Sequence, residues 1–73
     1  MSRIALLSPV ALIEDVPNQG LTKGQIGTVV EFLQRDGEAA LLIEFSDETG
    51  QTYAMADLKA DQLLALHRNT KAA

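Results

Sequence analysis

A chain of 73 residues has room for one domain, and a domain this small buries only a modest share of its unfolded surface. Hydrophobic residues make up 47% of it, enough for a core, but aromatics are only 4%, so that core must come mostly from Leu, Ile, Val and Ala. The absence of cysteine excludes a disulfide framework, a thiolate metal site and a cysteine nucleophile, and a net charge of −4 handicaps any binding to phosphate backbones.

The first residues, Met1 to Ser8, read as a loose arm or a short leading turn. Their apolar run is broken by Ser8-Pro9 and followed at once by Glu14-Asp15, which argues against a secretory leader. No stretch approaches the roughly 18 apolar residues that span a membrane. A small domain without disulfides suits a reducing compartment, so a cytoplasmic location is expected. Val10 to Ile13 reads as a first strand, with Pro9 at a position that proline tolerates. Glu14-Asp15-Val16-Pro17-Asn18-Gln19-Gly20 is loop material: Pro17 pushes Val16 into extended backbone, and Asn18 and Gly20 supply turn chemistry.

Three glycines, Gly20, Gly24 and Gly27, then lie close together where the β-branched run Ile26-Gly27-Thr28-Val29-Val30 starts. Glycine takes positive φ or allows close backbone approach, so this stretch predicts a tight corner feeding a strand over Ile26 to Leu33. A bulkier residue at Gly27 is expected to destabilise the domain by about 1 kcal/mol or more if that glycine holds a positive φ.

Asp36-Gly37 between β-rich runs is a strong hairpin signal. The third strand, Ala39 to Phe45, alternates with Leu41, Ile43 and Phe45 on one face and Leu42 and Glu44 on the other. Ser46 to Gly50 is a second polar turn, and a fourth strand over Gln51 to Met55 carries Tyr53 and Met55 on one face. Asp57 to Leu66 has helical composition, but a barrel needs a strand to close its edge. The favoured reading is therefore a turn at Lys59 to Gln62 followed by a strand at Leu63 to His67. The expected architecture is an all-β, five-stranded SH3-like barrel over residues 9–67, with a short 3-10 turn before the last strand. Residues 1–8 form an arm and 68–73 a flexible tail.

The sequence contains no catalytic constellation. His67 is the only histidine, the serines Ser2, Ser8 and Ser46 look terminal or turn-bound, and nothing places a base beside any of them. The corner does not match a phosphate cradle, because Lys23-Gly24 is not Gly-Lys-Ser/Thr and no helix follows. The carboxylate pairs Glu14-Asp15 and Asp47-Glu48 lack the alternating ligands of a calcium loop. Asp47-Glu48 reads as a solvated turn, whereas Glu14-Asp15 would lie beside the side pocket of an SH3-like barrel. Tyr53, the single tyrosine, reads as a core residue with a hydrogen-bonded hydroxyl, against the alternative of an exposed platform for a peptide. No enzyme activity, cofactor or metal is expected.

Gly24-Gln25-Ile26-Gly27-Thr28-Val29-Val30-Glu31 resembles the glycine–valine core of KOW modules, which are SH3-like and associated with ribosomes and transcription. That resemblance implies a nucleic-acid-binding alternative. A longer resemblance runs from about Val10 to Leu66. It is carried by Val10 to Pro17, by Gly20-Leu21 with Gly24 and Gly27-Thr28-Val29-Val30-Glu31, by Glu44 to Thr52, and by Leu58 to Leu63. Over those residues the chain resembles a bacterial family catalogued as domain of unknown function 4926. The family's short, stand-alone members imply a small accessory or partner-binding role.

The expected function is thus a non-enzymatic protein-interaction module, accessory or antitoxin-like, with a basic protein as partner. A nucleic-acid module of KOW type or a small regulatory subunit of an enzyme complex are the alternatives, and homo-oligomerisation through an edge strand is a further expectation. The candidate partner-binding residues are Glu14, Asp15, Asn18, Asp47, Glu48 and Tyr53. No membrane partner is expected.

Overall fold

A computed structural model describes residues 4–67. Its strands are β1 (Pro9–Leu12), β2 (Ile26–Arg35), β3 (Glu38–Ser46), β4 (Thr52–Leu58) and β5 (Leu63–Ala65), with 3-10 turns at Pro17–Gln19 and Ala60–Gln62. All neighbouring pairs are antiparallel, and the strands form one sheet in the order β4-β3-β2-β1-β5. The expected all-β, five-stranded arrangement is present, including the 3-10 turn before the last strand. Closure is not: among the described residues β4 and β5 form no ladder with one another, so the sheet is open. The short β5 spends its pairing on β1, where Leu12 faces Leu63 and Val10 faces Ala65.

The hairpin between β2 and β3 turns on Asp36-Gly37, flanked by the pair Arg35↔Glu38. Both turn residues have positive φ, 51° and 78°. That is the primed-turn backbone whose twist matches the flanking strands. A register shift between Val29 and Glu31 inserts Val30 as an unpaired extra residue in β2.

β3 alternates as its sequence indicates, with Leu41, Ile43 and Phe45 buried. Around them lies one apolar cluster: Val10 and Leu12 of β1, Val29 of β2, Ala56 and Leu58 of β4 and Leu63 of β5, closed by Val16 and Leu21 from the first loop. Aliphatic side chains predominate in it, as the composition requires. β4 runs further than its expected end at Met55, because Ala56 and Leu58 continue its inward stripe. The helical composition of residues 57–66 is overridden by this burial pattern, and turn-plus-strand is the observed outcome. β5 is shorter than Leu63 to His67, though the Leu66 amide still donates to the Pro9 carbonyl at 3.1 Å.

Gly27 lies in β2, opposite Val10 on one side and Phe45 on the other. A Cβ there would lie 2.5 Å from Ile43 Cγ2, 2.9 Å from the Glu44 carbonyl oxygen and 3.0 Å from Phe45 Cδ1. Positive φ belongs instead to Gly20 (70°) and Gly24 (96°). The condition attached to Gly27 is therefore replaced by a different one, close packing of β3 against a position without a side chain.

Ahead of β1, the Leu7 amide donates to the Val29 carbonyl at 2.6 Å and the Val29 amide to the Ser8 carbonyl at 3.0 Å. Ile4 packs against the core. The tail expected over 68–73, and the first three residues of the arm, lie outside the described residues.

Candidate interaction surface

The candidate residues before the glycine corner are placed by a closed loop. Val16 and Leu21 exchange backbone hydrogen bonds at 2.9 and 3.1 Å, and their side chains enter the core. Asn18 rides exposed on the 3-10 turn between them. The corner is clasped to β1: the Gly24 amide donates to the Leu12 carbonyl at 2.8 Å and the Leu12 amide to the Gln25 carbonyl at 2.9 Å. Asp15 takes part in this clasp, since its Oδ1 accepts the Lys23 amide at 2.8 Å. Glu14 Oε2 accepts the Gln62 side-chain amide at 3.2 Å, which holds it beside the second 3-10 turn.

The second pair divides in the same way. Asp47 Oδ1 accepts the Thr49 amide at 2.9 Å, the Thr49 hydroxyl at 2.6 Å and the Gln51 amide at 3.0 Å. The Thr49 hydroxyl first, and then the Gln51 and Thr49 amides, hold its carboxyl below the ordinary carboxylate value. Glu48 is exposed on the same turn. Asp15 and Asp47 are thus fasteners of their own loops, while Glu14 and Glu48 leave most of their carboxylate oxygen capacity to solvent.

Tyr53 is 51% exposed, so it is not the core residue its sequence context suggests. The inward positions of β4 nearest Tyr53 are the small residues Ala54 and Ala56, and the register shift between Phe45 and Ser46 leaves Tyr53 without a direct partner on β3. Its ring centroid stands 6.4 Å from that of Phe45, and its hydroxyl accepts the Gln25 side-chain amide at 2.9 Å. The hydrogen-bonded hydroxyl is as expected; the exposed ring is the alternative placement.

The face of the sheet turned away from the core carries two rows. Pro9, Thr28, Glu44 and Met55 lie opposite one another across four strands. One step along, Leu64, Ala11 and Ile26 lie opposite one another across β5, β1 and β2. Ile26, Leu64, Tyr53, Met55 and Ile13 are all between 45% and 57% exposed. The second row is not legible in the sequence, because it exists only through the non-local pairing of three strands. The one local signal was the outward parity of Ile26 against the inward Gly27 and Val29.

Charge is unevenly spent. Arg35 pairs with Asp57, and Lys59 pairs with Glu38 at 2.9 Å, both near the β2–β3 hairpin. The Glu38 carboxylate, through its hydrogen bond and its charge, raises the Lys59 ammonium above its ordinary value. Glu14, Glu44 and Glu48 have no ion pair among the described residues, and Lys23 is the cation left without one at their end. A groove of about 490 Å³ lies at the hairpin end, lined by Ile4, Phe32, Leu33, Ala40, Leu41 and Ala60, among others. It contains none of the candidate residues. Among the described residues no group of three His, Asp or Glu side chains is placed to hold a metal ion, and no helix is long and apolar enough to cross a membrane.

No curated protein and no solved structure matches this chain. A family profile described as Domain of unknown function (DUF4926) does match it, over residues 6–65, which takes in all five strands and both loops bearing the carboxylate pairs. The chain belongs to that family.

Proposed function

We propose that the chain is a non-enzymatic, cytoplasmic protein-interaction module, accessory or antitoxin-like, that takes a cationic protein partner. We also infer an SH3-like arrangement of its strands, supported by five short strands around a single core in a small chain. The observation that carries the functional reading is the division of charge. Arg35 and Lys59 at the hairpin end are paired within the domain, while Glu14, Glu44 and Glu48 have no ion pair among the described residues; Glu14 and Glu44 are held only by the neutral Gln62 amide and Thr52 hydroxyl, so their charge is not neutralised. Carboxylates not neutralised by a cation steer a cationic partner and raise its association rate, and apolar area beside them supplies adhesion.

The test is affinity capture with the full chain, followed by mass measurement of what is retained. A stoichiometric basic protein that raised salt releases is the expected result. Its retention should fall in the combined Glu14→Gln, Glu44→Gln and Glu48→Gln variant, whose substitutions leave the Asp15 and Asp47 fasteners in place. Retention of nothing overturns the reading. So does tight low-salt binding of labelled oligonucleotides in fluorescence anisotropy, which would favour the nucleic-acid alternative.

A further inference from the structure

We propose that the row Leu64–Ala11–Ile26 is a docking notch for a cationic segment of a partner protein, which seats one large apolar side chain over Ala11. This rests on the cationic-partner reading above and adds to it a place and an anchor. Ala11 is directly opposite Leu64 on one side and Ile26 on the other. Adjacent strands lie about 4.8 Å apart, so the two flanking residues stand about 10 Å from one another with only a methyl group between them. That width admits one aliphatic or aromatic side chain. Leu64 and Ile26 are 54% and 57% exposed, and Ile13, the residue that follows β1, is 45% exposed.

The charges around the notch select its occupant. Glu14 follows Ile13 and is held towards β5 by Gln62. Glu44 lies on the same outer face, opposite Thr28, the next outward residue of β2 after Ile26. The Asp15 carboxylate is tied to the Lys23 amide, and Lys23 is, among the described residues, the cation of this corner. A second copy of the chain is disfavoured, since a two-fold contact would bring identical carboxylates together on molecules that each carry a charge of −4. An apolar side chain flanked by lysine or arginine meets both the notch and its rim.

A pair of synthetic peptides of equal positive charge separates adhesion from charge. One contains lysine and alanine only, and the other has a single central alanine replaced by leucine. Each is titrated at low salt into the isotope-labelled full chain, and amide shifts are followed by NMR. The leucine peptide should bind about tenfold more tightly, the gain expected from partial burial of one leucine side chain. Its largest shifts should fall on Ala11, Ile26 and Leu64. Ala11→Leu fills the notch on an outward-facing position and should cancel the leucine advantage while leaving the lysine–alanine peptide unaffected. Leu64→Ser, on an edge strand, gives the same readout without overfilling, and thermal melts of both variants report whether the fold is retained.

Equal affinity of the two peptides, with salt-sensitive binding retained, overturns the notch and leaves the cationic-partner reading standing. Shifts centred on the groove beneath Phe32 overturn it too. Concentration-dependent shifts at Ala11 in the free protein would replace the partner with a second copy. Failure of both peptides to bind counts against the notch and the charge reading together.

Discussion

The two ends of β2 solve the same geometric problem with different chemistry. At its far end the chain reverses in two residues, Asp36 and Gly37, both with positive φ, and the flanking charges find partners within the domain. At its near end the chain arrives through a corner with Gly20 and Gly24 in positive φ, a backbone clasp to β1 and side-chain fasteners from Asp15 and Gln25. The hairpin end is a self-contained turn whose cations, Arg35 and Lys59, are paired within the domain. The corner end is assembled from three strands and two loops, and it leaves carboxylates and apolar side chains facing outward. A local turn needs nothing from elsewhere, whereas a corner shared by several elements creates a surface, and that is where a partner reading has its support.

The largest expected effect tests what the corner's glycines do. Gly24 and Gly27 are three residues apart, yet Gly24 has open space around a would-be Cβ and a φ of 96°, while Gly27 has ordinary φ and no space. Gly27→Val should cost about 3 kcal/mol, since β3 must move away from the added atoms. Gly24→Ala should cost about 1 kcal/mol, the penalty of a side chain in left-handed backbone. Urea midpoints of the two variants check the ranking. A larger loss at Gly24 than at Gly27 would show that backbone conformation, not close packing, governs the corner.

That distinction was only half legible in the sequence. The glycine cluster marked a corner, but φ at Gly27 depends on its pairing with β1 and β3, which no local pattern encodes. The hairpin was legible because Asp-Gly carries its own backbone preference, and β3 because Leu41, Ile43 and Phe45 alternate with bulky contrast. β4 was less so: its first two inward positions, Ala54 and Ala56, are small, so the larger Tyr53 and Met55 dominate the local pattern although they point outward. Read instead as Ala-x-Ala-x-Leu, residues 54–58 would have extended the strand and turned Tyr53 to solvent. The acidic pairs were visible as residues, but not the split within each pair between a loop fastener and a free carboxylate. Asp15 reaches an amide eight residues away, a distance set by the corner's shape.

A smaller effect tests whether the hairpin end's ion pairs matter to stability. Arg35 is two-thirds exposed in its pair with Asp57, so solvent screens the attraction. A double-mutant cycle with Arg35→Gln and Asp57→Asn should give a coupling of about 0.5 kcal/mol. A coupling several times larger would mean that this end is fastened by charge, and the contrast with the corner end would fail.

The smallest effect concerns Asp47, whose carboxylate is held by three donors on its own turn. Its folded-state pKa lies below the ordinary carboxylate value of 3.8. The stability it contributes is therefore fully present above that ordinary value and is lost as pH falls through the lower, folded value. Asp47→Asn should leave the melting temperature near neutrality modestly reduced, because the amide oxygen can still accept backbone N–H groups but without a negative charge. On titration downward from pH 4, the wild-type chain should lose melting temperature more steeply than the variant, so that the two curves converge. Parallel curves through that range would show that the Asp47 carboxylate gains nothing from its turn. Asp47 would then join Glu14 and Glu48 as a carboxylate free to meet a partner.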